Sequence, residues 1–364
     1  MLATLSRLEK HSRNGGFECA IDAVPAAQWD ETAALFADPN YDQIARYSAE
    51  QWGRRTSHLL LRRHGESVAG AYAAIIKPPG CSHGVAFVRF GPFWRRRDAA
   101  PDLGIYRAAV GALVQEYCIR RGHYLTVVPR PNPEFYHQEC EVLSRFGFAL
   151  RRRVHDPNRY LVDLSHDEHA QRNSLDQKWR YNLRQALNNG FDIRLGQSEE
   201  DIRAFQSLHA GMVARKRFHN ADMVHLLPRL AAELPQPLRP QIVLAFHRGR
   251  PVAGAAIAIL GDTAYYVFGG SDGASLSLKG GYALQWWIVR WLSGHGVRWY
   301  DLGGEAGEHG LRQFKKGLVG KAGTVIRMHG EYDYWTGTSA RLVGDIVYGM
   351  RGVQRMIRKL RYRA

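Results

Sequence analysis

The sequence predicts an α+β protein built from two copies of one unit, each a mixed β-sheet flanked by helices. Three observations carry this. The first is a recurrence. Leu59 to Ile75 reads LLLRRHGESVAGAYAAI and Gln241 to Ile259 reads QIVLAFHRGRPVAGAAIAI. Gly65 falls on Gly249, Val68-Ala69-Gly70-Ala71 on Val252-Ala253-Gly254-Ala255, and Ala74-Ile75 on Ala258-Ile259 at one constant spacing. The second is that each copy continues into a helix and a further strand, Tyr106 to Gly122 then Tyr124 onward, and Tyr282 to Gly296 then Val297 onward. The third is length, since 364 residues hold two domains with cores of their own.

The elements run in this order. Phe17 to Val24 alternates as a strand does, and Gln28 to Ala37 reads as a short helix. His58 to Lys77 is a hairpin turning at His64-Gly65. Val85 to Phe90 is a strand ending at Gly91-Pro92, and Leu103 to Arg121 an amphipathic helix closed by Gly122. Tyr124 to Val128 is a strand cut by Pro129, and Glu139 to Phe146 a helix stopped by Gly147. A long helix with a basic face is expected over 166–189, then a strand at Phe191–Leu195 and a helix from Glu199 to Arg217. A proline-rich link near Pro235 to Pro240 leads to the second hairpin, Ile242 to Gly269, and to a tryptophan-rich helix, Gly281 to Ser293. The expected domains are therefore 1–165 and 166–330, with 331–364 a basic segment packing back on the first.

Charge narrows the function. Fifty Lys+Arg against 34 Asp+Glu give +16, and the pI is about 9.9. Such a field attracts polyanions: RNA, nucleotide-linked substrates or an anionic membrane face. An arginine-rich surface of a high-GC organism is the plain alternative. Cys19, Cys81, Cys118 and Cys140 have no zinc spacing, and the sixteen histidines form no ligand pair, so no metal is implied. The N-terminus is polar and no long apolar run comes after it, which reads as a cytoplasmic protein.

The chemistry concentrates in Gly296 to Gly320, GVRWYDLGGEAGEHGLRQFKKGLVG. A short apolar strand ends at Asp301, and Gly303-Gly304 let the backbone turn sharply or approach a ligand. A charged loop then ends in Leu311-Arg312-Gln313-Phe314-Lys315-Lys316-Gly317. A strand end, a glycine turn and a cation after it build a polar site at a sheet edge. A solvated loop with a core Phe314 is the alternative.

These residues carry a resemblance. Tyr265-Tyr266-Val267-Phe268-Gly269-Gly270-Ser271, Trp299-Tyr300-Asp301-Leu302-Gly303-Gly304 and Phe314-Lys315-Lys316-Gly317, with the basic run Lys178 to Ala186, resemble the FemABX family. It covers roughly residues 17 to 330, more strongly in the second unit, and the helical-hairpin arm of some members is missing. The resemblance implies two GNAT-like units in tandem and transfer of an amino acid from aminoacyl-tRNA to a peptidoglycan precursor, with no cofactor. It implies that Phe314 holds the terminal nucleotide and that Lys315 stabilises the oxyanion of the tetrahedral intermediate. It implies phosphate contacts from Arg180, with Lys178 and Arg184 beside it. Arg54 and Arg55 stand where a lysine is expected; arginine binds phosphate bidentately, so the geometry alters. Asp301, Gly303 and Gly304 complete the expected substrate-binding set. For a general base the nearest residues are Asp98 and Asp301, and relatives can use substrate-assisted proton transfer.

Two other readings stay open. One is an acyl-CoA-dependent GNAT N-acyltransferase acting in polysaccharide or lipid assembly. Its pyrophosphate loop, Q/R-x-x-G-x-G/A, corresponds to Ser277 to Ala283, but Leu278 stands where Gln or Arg belongs. The other is a non-catalytic RNA- or membrane-binding module. Finally, Arg351 to Ala364 places Val353, Met356, Ile357 and Leu360 at helical spacing among six cations. That is a basic amphipathic helix, able to touch a membrane's inner face, track nucleic acid or dock on the first unit.

Overall fold

The computed structural model describes residues 16–52, 55–152, 154, 157–196, 198–216, 223–305 and 309–361, with the side chains of 52 and 352–361 left out. The chain opens with β1 (Phe17–Ile21), α1 (Ala26–Ala34) and α2 (Ala45–Trp52). The hairpin β2 (Thr56–Arg63) and β3 (Glu66–Ile76) comes next, then β4 (Val85–Arg89). After it come α3 (Leu103–Leu113), which runs on as a π-helical stretch to Arg120, β5 (Tyr124–Val128), α4 (Tyr136–Arg145) and β6 (Ala149–Arg152).

The second half runs β7 (Asn158–Asp163), α5 (Glu168–Ser174), α6 (Gln177–Leu187), β8 (Asp192–Gly196), α7 (Glu199–Lys216) and α8 (Leu227–Glu233). The hairpin β9 (Gln241–His247) and β10 (Arg250–Leu260) leads to β11 (Thr263–Ser271). Then come α9 (Gly273–Ser277), α10 (Gly280–Ser293), β12 (Trp299–Asp301), α11 (His309–Val319) and β13 (Thr324–Arg327). The chain returns through β14 (Glu331–Tyr334) to α12 (Thr338–Arg361).

Two seven-stranded mixed sheets result, ordered β1-β2-β3-β4-β5-β14-β6 and β8-β9-β10-β11-β12-β7-β13. The two orders are the same order, element for element. Both hairpins turn through two positive-φ residues, His64-Gly65 and Arg248-Gly249, which matches the right-handed twist of the paired strands. The glycine of each VAGA run is close-packed. A Cβ at Gly70 would lie 2.4 Å from Phe93, and one at Gly254 would lie 2.8 Å from Phe205.

The sixth strand of each sheet breaks sequence order. β14, from the end of the chain, inserts between β5 and β6, and β7, from the middle, inserts between β12 and β13. The chain therefore divides into Met1–Val154 with His329–Ala364, and His155–Met328. The expected boundary at 165/166 moves to 154/155 because 158–163 pairs in the second sheet, and that at 330/331 falls at 328/329.

Two expected elements also change form. The helix expected over 166–189 is two, broken where Leu175 turns to ψ 150 and Asp176 caps α6 through Lys178 N. The stretch 311–317, expected to end a loop, lies in α11.

Candidate active site

The site is built in the second unit, at the end of β12. β12 pairs parallel with β11 through three positions only, Thr263 to Tyr265 against Trp299 to Asp301. β12 then stops, while β11 runs on to Ser271. The chain leaves β12 through a turn at Gly303, whose φ of 77° suits glycine. Asp301 holds that turn. It is buried, its Oδ1 accepts from Gly303 N at 2.8 Å, and its Oδ2 accepts from Arg159 Nη2 at 2.7 Å. Both carboxylate oxygens are engaged, so Asp301 acts here as a fastener.

Lys315 reaches the same turn from α11. It is only 6% exposed, and its Nζ donates to the carbonyl of Leu302 at 2.5 Å and to that of Gly304. Lys316, the next residue, is exposed. The helix thus separates two adjacent ammonium groups, one fixed against the glycine turn and one in water. Glu305, just beyond, accepts from Asn158 Nδ2 at 3.3 Å and from the Tyr160 hydroxyl. Burial, with Glu305 adding to it, pushes the Tyr160 hydroxyl up to about 12.

An aromatic group lies beside Lys315. Phe314 meets Tyr282 edge-on at 4.9 Å and Trp179 at 5.8 Å, and Trp179 and Tyr282 are 5.0 Å apart. Trp179 is buried against Gly317, where a Cβ would come within 2.8 Å of its ring. Phe314 and Tyr282 are partly exposed, and Asn182 Nδ2 donates to the Tyr282 hydroxyl at 3.2 Å. Tyr282 sits in the first turn of α10. That helix starts from Lys279 in the left-handed region, φ 61°, and nothing lies within 4 Å of a Cβ placed on Gly281. Open space beside Gly281 in the first turn of a helix, next to aromatic rings, suits an anion attached to a planar group.

The other expected residues fall elsewhere. Arg180 donates to the carbonyls of Asn173 at 2.8 Å and Leu175 at 2.5 Å, so its guanidinium closes the α5–α6 corner. Lys178 and Arg184 are exposed on α6. Arg55 is exposed at the foot of β2, and Arg54 lies outside the described residues. Asp98 belongs to the first unit, where Arg96 grips it bidentately at 2.6 and 2.8 Å and holds its carboxyl below the usual range. Arg159, Tyr160, Tyr282 and Glu305 belong to the site but not to the expected set. The run Tyr160-Leu161-Val162 after Pro157 is a strand signal that would have found the first two.

A family model described as an acetyltransferase (GNAT) domain matches residues 170–316, inside the second unit. No curated protein matches the chain. Among solved structures, FemX aligns with a TM-score of 0.72 at 13% identity, over 90% of this chain and 99% of that one. The chain has the FemX-like tandem GNAT fold. The C-terminal domain of a putative lysylphosphatidylglycerol synthetase from Agrobacterium fabrum aligns at 0.57 and 15% identity, over 87% of this chain and 95% of that one. L-PGS from Bacillus licheniformis aligns at 0.50 and 13%, over 79% and 86%. The family match and the fold support one enzyme class, acyltransferase.

Proposed function

We propose that the protein is an aminoacyltransferase that moves an amino acid from aminoacyl-tRNA to an amine of a peptidoglycan precursor or a related acceptor. The observation that carries this reading is the buried Lys315 ammonium, fixed by two carbonyls at the turn where β11 and β12 part. In the reaction the acceptor amine attacks the ester carbonyl carbon, and the carbonyl oxygen takes on negative charge. A preorganised positive charge in a site of low dielectric stabilises that oxyanion without reorganising. The intermediate collapses by breaking the ester C–O bond, and the departing hydroxyl of the tRNA takes a proton. Both oxygens of Asp301 are engaged, which favours proton transfer through the substrate itself. Phe314 and Tyr282 offer rings on which the terminal base of the donor stacks, worth about 1–3 kcal/mol per base. The net charge of +16 draws the tRNA in. No resident cofactor takes part. The similarity to lysylphosphatidylglycerol synthetases also favours an aminoacyl group as the cargo.

One observation favours a second reading, an acyl-CoA donor: the open space beside Gly281 in the first turn of α10 suits a pyrophosphate. Leu278, standing where Gln or Arg belongs, weighs against it. The test is to supply bulk charged tRNA or acetyl-CoA with candidate amines and follow loss of each acyl group. Consumption of aminoacyl-tRNA, weakening steeply with salt, is expected. Tight, salt-insensitive turnover of acetyl-CoA with charged tRNA intact would overturn the proposal. Polyanion binding without turnover of either donor would make the protein a binding module.

A further inference from the structure

The C-terminal helix α12 belongs to the first unit, and one of its faces packs there. Ala340, Val343 and Val347 are buried. A Cβ at Gly344 would meet the Tyr124 ring at 2.5 Å, and the Tyr348 hydroxyl donates to Thr126 Oγ1 at 2.7 Å. Arg151 pairs with Asp345 at 2.9 Å, and Arg351 with Glu331 at 3.2 Å. The helix is therefore held as far as Arg351.

The opposite face is apolar too. Leu342, Ile346 and Met350, four residues apart, are 62%, 45% and 53% exposed. Side chains at that spacing form one stripe. Apolar residues continue at helical spacing in the sequence through Val353, Ile357 and Leu360, while the helical backbone runs to Arg361. From Arg351 to Ala364 there are six cations, Arg351, Arg355, Arg358, Lys359, Arg361 and Arg363, and no acid. No helix among the described residues is long and apolar enough to cross a membrane.

We propose that α12 is a docking helix for an anionic lipid surface, lying in the interface with the stripe Leu342–Ile346–Met350 downward and the basic end against the headgroups. Charge complementarity selects this occupant. A stripe that paired with a second apolar helix would gain nothing from an acid-free, six-cation end, whereas a basic amphipathic helix gains both from apolar burial and from anionic lipid. The first unit fixes one end of the helix, so the apolar stripe is presented in a set orientation and little ordering remains for binding. This inference does not depend on which donor the second unit uses.

The experiment is co-sedimentation of the full chain with vesicles of phosphatidylcholine alone or mixed with phosphatidylglycerol, at low and high salt. Two variants are compared, Leu342→Ser/Ile346→Ser/Met350→Ser and Arg355→Glu/Arg358→Glu/Lys359→Glu. The wild type is expected to bind mixed vesicles at least about tenfold better than neutral ones, and each variant to lose roughly tenfold or more. The serine variant changes side chains that are exposed, and thermal unfolding of both variants is read alongside. If the serine variant unfolds, the charge-reversal variant alone decides. Failure of the wild type to bind mixed vesicles overturns the proposal, as does undiminished binding by both variants. So does a concentration-dependent dimer abolished by the serine variant, which would mean that a second copy covers the stripe. Loss of tRNA binding with vesicle binding intact would assign the basic end to the donor.

Discussion

The two units share one strand order and differ at the end of the parallel strand pair. In the first unit β4 and β5 pair across five positions, Val85 to Arg89 against Tyr124 to Val128. The chain after β4 then folds back, Phe93 exchanges two backbone hydrogen bonds with Gly70, and its ring fills the space beside Trp29. In the second unit the pair stops after three positions, and a glycine turn with a buried ammonium takes over. One copy closes its sheet with aromatic packing, and the other leaves it parted and charged. In this duplicated fold, chemistry is possible at the copy whose strands separate.

The largest expected effect on stability comes from the fastener of that parted end. Asp301→Ala takes one carboxylate from the buried Arg159, itself 8% exposed, and the acceptor from Gly303 N. Breaking a buried pair from one side costs about 3–5 kcal/mol. Denaturant unfolding of the variant checks this, and a loss under about 1 kcal/mol, the range of an exposed pair, would mean that water reaches it.

The matched glycines give a smaller and graded effect. Gly70→Ala and Gly254→Ala both overpack, by about 1–3 kcal/mol. The Gly70 change is expected to be the worse, since its Cβ would meet Phe93 at 2.4 Å against 2.8 Å from Phe205 at Gly254. Equal losses would show that the closed end yields as readily as the open one.

The first unit also carries a pH effect. His123 is buried, accepts from Gly84 N at its Nδ1, and is held at about 4 instead of 6.5 by burial and by the nearby Lys77 and Arg121. As pH falls the unfolded chain takes up the proton first. The stability His123 contributes is therefore whole above about 6.5, drains as pH drops toward 4 and is gone below it. His123→Asn should flatten that part of the melting-temperature profile, and an unchanged slope would assign it to other groups.

Much of this architecture is legible in the sequence, for reasons that lie in particular residues. Period-two alternation, the VAGA match and the turns at His64-Gly65 and Arg248-Gly249 mark both hairpins because each is local. β7 and β14 are not legible as partners, since each is short and its neighbours lie far away in sequence. That is why the domain boundaries shift. Phe314 and Lys315 stand out as an aromatic beside a cation. Their placement on a helix, and the carbonyls of Leu302 and Gly304 that hold the ammonium, depend on a turn that sequence spacing does not specify. Arg180 shows another limit: a basic helix suggests a phosphate ligand, but not the break at Leu175 that brings two backbone carbonyls to its Nη1.

The most direct test of the central claim, that acyl transfer runs at the parted end of the second unit, compares Lys315→Ala with Lys316→Ala in single-turnover transfer from aminoacyl-tRNA. Loss of one oxyanion-stabilising charge predicts a fall of about 10²–10³-fold for Lys315→Ala. Because that ammonium also satisfies two carbonyls, a stability loss of about 1–3 kcal/mol should accompany it, and the rates are measured well below the variant's own unfolding. Lys316→Ala, which changes an exposed side chain, should stay within about twofold of wild type. Equal losses at both positions would contradict the account, because they would make the effect general electrostatics and leave the turn without a placed catalytic charge.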